Sequence, residues 1–308
     1  MTSPTSRTPA PGSPGEGRAA GKASAPAPAF APAKPREVEE LVDEYIHRPV
    51  ARRIVAVLVH TPITPNQVTL ISGALGVSGG IAFALGVVDR RWCLAAGLLL
   101  FLSVVFDCCD GQLARAKQIS STTGAILDGI ADYAVGIAMG MGTSYFLVTR
   151  LGSPWYWLLG LAGIGSAAVQ SAMFDHAKTR YIARVGGGYS EREADVDRMT
   201  RDRARAWQEG RYTDAILFWV YERYSRAQHA ALMVLPVADP AAYRAANASR
   251  MRRWTFLGIG THFALGYLLC LLTYWWVPAL AVFHWLSATL FNLILVVMMQ
   301  LEVRSVRA

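Results

Sequence analysis

Residues 107–132 read DCCDGQLARAKQISSTTGAILDGIAD, a run in which charged and small residues fall as D-x2-D-G-x2-A-R-x8-G-x3-D-x3-D. Its flanks are apolar: LAAGLLLFLSVVF leads in and AVGIAMGMGTSYFLV leads out. Flanks of this kind build membrane-spanning helices, where a bare carboxylate costs on the order of 3 kcal/mol even on the mildest scale. Asp107, Asp110, Asp128 and Asp132 must therefore be held by something positive. A divalent cation with a phosphorylated substrate is the best candidate.

The rest of the chain agrees with a membrane setting. Of its 308 residues 53% are hydrophobic and only 17% charged, with a mean hydropathy of +0.28. Soluble domains carry about 25% charged residues. The net charge of +8 gathers in the tails and one large loop, as the orientation of membrane proteins requires, so no nucleic-acid partner is implied. The four cysteines show no CxxC or framework spacing and read as small buried apolar residues. Cys108 and Cys109 lie close enough to the aspartates for a thiol reagent to report on them.

The pattern predicts an all-α integral membrane protein with six transmembrane helices, an N-terminal interfacial helix and a helical cytosolic insert. Residues 1–35, rich in Ala, Pro, Ser and Gly, predict a disordered cytosolic tail without the apolar core of a signal peptide. Residues 36–63 predict an interfacial helix, with Val38, Leu41, Val42, Tyr45 and Ile46 on one side and acidic residues on the rest. Residues 64–185 hold four spans, at about 66–88, 92–116, 122–148 and 155–173, the last continuing as helix to Arg184. Thr64-Pro65-Asn66 opens the first with a capping threonine and a proline in the first turn. Residues 186–250 form a cytosolic or interfacial insert of two helices, with Ile216, Trp219, Val220 and Tyr224 at helical spacing. Residues 251–308 supply the spans 254–275 and 279–299 and a C-terminal tail. Positive loops place both termini and the aspartates on the cytosolic side.

Asp107 and Asp110 are three apart and Asp128 and Asp132 four apart, so each pair shares a helix face. Two such faces meeting across a short turn give a four-carboxylate pocket. An all-oxygen set suits Mg²⁺, Mn²⁺ or Ca²⁺ rather than zinc. Gly111, Ala114 and Gly124 leave helix surface bare for a substrate or partner helix. Arg115, two turns from Asp107, is placed to bridge phosphate oxygens. The competing reading of the same residues is a buried structural ion pair. Gly136 and Gly140 mark either packing within the chain or a homodimer face.

This pattern resembles the CDP-alcohol phosphotransferase (CDP-alcohol phosphatidyltransferase) family, matching at all eight fixed positions. The likeness extends over about residues 40–185 and 250–300, and the insert lies outside it. The resemblance implies that Asp107, Asp110 and Asp128 coordinate a pair of Mg²⁺ or Mn²⁺ ions, with Asp132 touching the second ion and acting as general base on the acceptor hydroxyl. It implies that Gly111, Ala114 and Arg115 line the CDP pocket, with Thr64, Asn66 and Ser121 helping to hold the pyrophosphate or cytidine. A phosphatidyl group would pass from CDP-diacylglycerol to a small polar alcohol, releasing CMP.

Lys178, Arg180 and Arg184, on the cytosolic end of the fourth span, could grip a phosphorylated acceptor; the orientation rule alone explains them equally well. Two other readings stay open. One is a choline- or ethanolamine-type enzyme that uses a CDP-linked head group and a lipid alcohol. The other is an ion transporter lined by carboxylates, which leaves Arg115 and the small residues unexplained.

Overall fold

A computed structural model describes residues 35–119, 122–186, 200–212, 214–216, 218–219, 222–223 and 237–307. All belong to one compact unit, Pro32–Ala308. The expected tail, the first part of the insert, Ser121, Val220 and Tyr224 lie outside the described residues. No strand occurs among the described residues.

The helices are α1 (Arg48–Leu58), α2 (Pro65–Leu85), α3 (Arg91–Lys117), α4 (Thr122–Leu151), α5 (Trp155–Gly186), α6 (Pro240–Trp254), α7 (Ile259–Thr273), α8 (Ala279–Ala288) and α9 (Leu290–Arg307). The insert adds helical turns over 200–208. Four stretches are long and apolar enough to cross a membrane: α2, α3, Trp155–Val185 and Ala279–Glu302. A fifth arises if α6 and α7, bent by 43° at their junction, count as one. The expectation was six. Of the expected spans, α4 is the one outside this set, although its 30 residues are on average no less apolar than those of α3.

Helix α2 begins as its sequence dictates. Thr64 Oγ1 accepts the Gln67 N–H at 3.3 Å, and Gln67 Oε1 accepts the Thr64 N–H at 2.9 Å, a reciprocal cap. Glycines then bring α2 against both motif helices. A methyl group added at Gly73 would lie 3.1 Å from the Ala131 Cβ, and one at Gly80 would lie 2.5 Å from the Ala138 carbonyl oxygen. Ser72 and Ser103 each donate to the other's carbonyl at 2.9 Å, pinning α2 to α3 within the apolar interior.

After α3 the chain reverses at Gln118, whose φ of 57° is left-handed. The Ile119 N–H closes back on the Ala114 carbonyl at 2.9 Å. Lys117 donates to the carbonyls of Thr61 and Ile63 at 2.6 and 2.7 Å, tying this end of α3 to the loop before α2.

The N-terminal segment departs from the expected face. Val38 is buried, but Tyr45 and Ile46 are exposed, while Glu40 and His47 are buried. The reason is partly winding, since Asp43–His47 runs as a π-helix, and partly charge. Arg252 on α6 donates to the carbonyls of Arg36 and Glu39 at 2.7 and 2.8 Å and to Glu44 at 2.5 Å. Glu37 accepts from Arg244 and Tyr181. Arg252, and then Arg36, hold the Glu44 carboxyl below its ordinary range. The Glu40 carboxylate accepts the Thr261 N–H at 2.9 Å, capping the N-terminus of α7, where unpaired N–H groups favour an anion. Burial, then the charge of Asp43, pushes the Glu40 carboxyl up to about 7.

The last membrane helix breaks at Thr289 between α8 and α9. Gln170 donates to the Ser287 carbonyl at 2.9 Å and to Asn292 at 2.7 Å, and Asn292 donates to the Ala288 carbonyl at 3.0 Å. In an apolar surrounding such freed carbonyls need these partners.

Candidate active site

The two halves of the motif meet where α3 ends and α4 begins. One carboxylate oxygen from each of Asp107, Asp110 and Asp128 lies within 4.8 Å of the others. Two carboxylates that close are tolerated only where a proton or a cation lies between them. Asp128 Oδ1 is buried without a hydrogen-bond partner. An orphaned oxygen among three carboxylates, with no sulfur or imidazole in the group, fits a hard divalent cation. Asp132, one turn further along α4, is exposed and outside this trio, though within range of the charges of Asp128 and Asp110. The pocket expected to hold four carboxylates thus has three inner members and a fourth at its open side.

The surroundings divide by role. Arg115 is exposed on α3, and a methyl group added at Gly111 would stand 3.6 Å from its guanidinium. Ala114 and Asn66 are half-buried. The Thr64 side chain is engaged in the cap of α2. Buried Thr69 on α2 donates to Asp110 Oδ2 at 2.5 Å. The insert reaches this region too: Ala206, Ala215 and Phe218 pack on Ile126, two residues before Asp128.

The three basic residues on α5 separate. Arg180 faces Glu302 at 3.8 Å, and Arg250 from α6 reaches the same carboxylate at 3.5 Å. Arg180, Tyr181, Tyr243, Asn247, Arg250 and Glu302 line one cavity. Arg184 donates to the Tyr243 hydroxyl at 3.0 Å. Lys178 pairs instead with Asp175 at 3.2 Å and lies over the Phe174 ring. Gly140 receives Ile164 of α5, which is packing within the chain, while nothing lies within 4 Å of a methyl group at Gly136. Cys109 is buried, leaving half-buried Cys108 as the more accessible of the adjacent pair.

Sequence reasoning missed Thr69, Arg250 and the inward turn of Glu40. Thr69 left one signal: it lies one turn beyond Asn66, a hydroxyl on the face that continues to Gly73. Arg250 left none, because it stands in a short basic run with Arg252 and Arg253 and its value comes from where α6 docks.

A family model described as CDP-alcohol phosphatidyltransferase matches residues 62–238. The chain is 34% identical over 136 residues to a protein named bifunctional IPC transferase and DIPP synthase from Rubrobacter xylanophilus. It is 30% identical over 129 residues to one of the same name from Thermococcus kodakarensis. Each match covers 42% of this chain and 28% of the relative, so the chain spans less than a third of their length. Inner membrane protein YnjF of Escherichia coli is 33% identical over 96 residues, 30% of this chain and 44% of that protein. The family model covers more than half of the chain and includes both halves of the aspartate motif, so the chain belongs to the CDP-alcohol phosphatidyltransferase family.

Proposed function

We propose that this protein transfers a phosphatidyl group from CDP-diacylglycerol to a small polar alcohol, releasing CMP. The observation that carries the reading is the trio of carboxylates from two helices with one oxygen left unpartnered. Asp107, Asp110 and Asp128 would hold Mg²⁺ or Mn²⁺, with Asp132 at a second ion. A cation bound there supplies charge neutralisation to a diphosphate.

The chain's own residues do the rest. Arg115, exposed beside Gly111, gives a guanidinium to phosphate oxygens. Gly111 and Ala114 leave room for the nucleotide, and Asn66 with Thr64 stands at the start of α2. Asp132, exposed at the open side of the trio, takes the proton of the acceptor hydroxyl as that oxygen attacks phosphorus. Arg180 and Arg184, joined by Arg250, favour an acceptor that itself carries a phosphate. Lys178, paired with Asp175, is the weakest member of that set. We further assign α4 as a membrane span, making six, with the 36–63 segment interfacial, the insert over the cytosolic end of α4, and both termini cytosolic.

CMP release tests this reading. Purified protein given labelled CDP-diacylglycerol, a panel of alcohols and phosphorylated alcohols, and Mn²⁺ or Mg²⁺ should release CMP. Asp132→Asn should lose on the order of 10²–10⁴-fold in rate. Full activity in that variant removes the assigned base. Turnover of CDP-choline in place of CDP-diacylglycerol reverses the substrate polarity, and metal flux without CMP would indicate a transporter.

A further inference from the structure

We propose that Thr69, outside the aspartate motif, is a positioning residue that fixes Asp110 for cation binding. This rests on the metal-site reading above.

Thr69 is buried on α2, and its hydroxyl faces two acceptors, the Pro65 carbonyl at 3.2 Å and Asp110 Oδ2 at 2.5 Å. A threonine inside a helix commonly gives its single proton to the carbonyl four residues back. Here the carboxylate is 0.7 Å closer than that carbonyl, at the short end of charge-assisted bonds, so the proton belongs to Asp110. That bond occupies Oδ2 and sets the rotation of the carboxylate. A carboxylate held in that rotation offers an oxygen to the group formed with Asp107 and Asp128.

The donor is itself held firmly. One turn further on, Ser72 and Ser103 lock α2 to α3 by reciprocal bonds. Gly73 seats α2 against Ala131, between Asp128 and Asp132 on α4. A hydroxyl in that position ties α2 to α3 at Asp110. A valine would fill the same space and leave the Asp110 carboxylate without its donor. Groups that orient a metal ligand through one hydrogen bond are worth about 10–100-fold in metal affinity.

The test is Mn²⁺ binding to the full-length protein in detergent, read from the electron-paramagnetic signal of free Mn²⁺, without substrate or turnover. Thr69→Val should weaken binding about 10-fold or more. Thr69→Ser should bind nearly as the parent does. Thr69→Ala should bind as weakly as the valine form; because Ala and Ser both lack the methyl group, their difference isolates the hydroxyl even if the valine protein is unstable. Asp110→Asn is the reference. If it leaves Mn²⁺ binding unchanged, the metal-site reading fails. If it weakens binding while Thr69→Ala and Thr69→Ser match each other, whether both weak or both strong, the role of Thr69 is overturned and the site stands.

Discussion

Replacing Gly80 by alanine should damage the protein more than the same change at Gly73, although both lie on one seam between α2 and α4. At Gly80 the new methyl group would stand 2.5 Å from the Ala138 carbonyl oxygen. That is about 0.9 Å inside ordinary contact, against backbone that cannot rotate away. At Gly73 the nearest atom is the Ala131 Cβ at 3.1 Å, short by only about 0.3 Å. Overpacking of the first kind costs roughly 1–3 kcal/mol. Alanine returns up to about 1 kcal/mol as the better helix former. The expected net is a loss of about 1–2 kcal/mol at Gly80 and near neutrality at Gly73.

Activity should follow the same order for a different reason. Ala138 lies ten residues beyond Asp128, roughly 15 Å along α4. A wedge there splays α4 from α2 and carries Asp128 away from Asp110, which Thr69 holds on the other side. A misplacement of about 1 Å at reacting groups can cost on the order of 10²-fold. Thermal unfolding in detergent and CMP release would be measured on both variants. Equal melting temperatures and equal rates would refute the claim that backbone contact along this seam sets the spacing of the carboxylates.

Two further outcomes follow from the N-terminal segment. Glu40 has a folded value raised from 4.5 to about 7, so its stabilising share is complete at acid pH and is lost as pH climbs through that window. The parent should lose up to about 3 kcal/mol between pH 5 and pH 8 from this group. Glu40→Gln, which still accepts the Thr261 N–H, should flatten the melting-temperature profile; parallel profiles would sink the assignment. Arg252→Ala removes donors to two carbonyls and to Glu44 and should cost about 2 kcal/mol. It should also speed proteolysis within residues 36–48, and Arg252→Lys should not restore resistance. An unchanged cleavage rate would show the segment to be held by something else.

The motif was legible because its chemistry is local: spacings of three and four put paired carboxylates on helix faces wherever those helices run. The start of α2 was legible for the same reason, since a threonine, a proline and a glutamine specify a cap within four residues. What escaped was set by distant partners. The acidic side chains of residues 37–44 look solvent-facing until Arg244, Arg252 and the N-terminus of α7 arrive to meet them. Likewise the break at Thr289 carries no glycine or proline as a signal, and becomes tolerable only because Gln170 and Asn292 reach the freed carbonyls. Asp132 shows the limit on the site itself: helical spacing places it on the face of Asp128, but its exposure follows from which elements pack beside it, which spacing does not give.

The bond from Thr261 to Glu40 joins residues 221 apart in the chain. A ribosome adding 5–20 residues per second needs on the order of 10–40 s to make that interval. Throughout it Glu40 lacks the backbone donor that holds it in the folded protein. The segment around Glu40 can therefore complete its docking only after α6 and the first turn of α7 have been made.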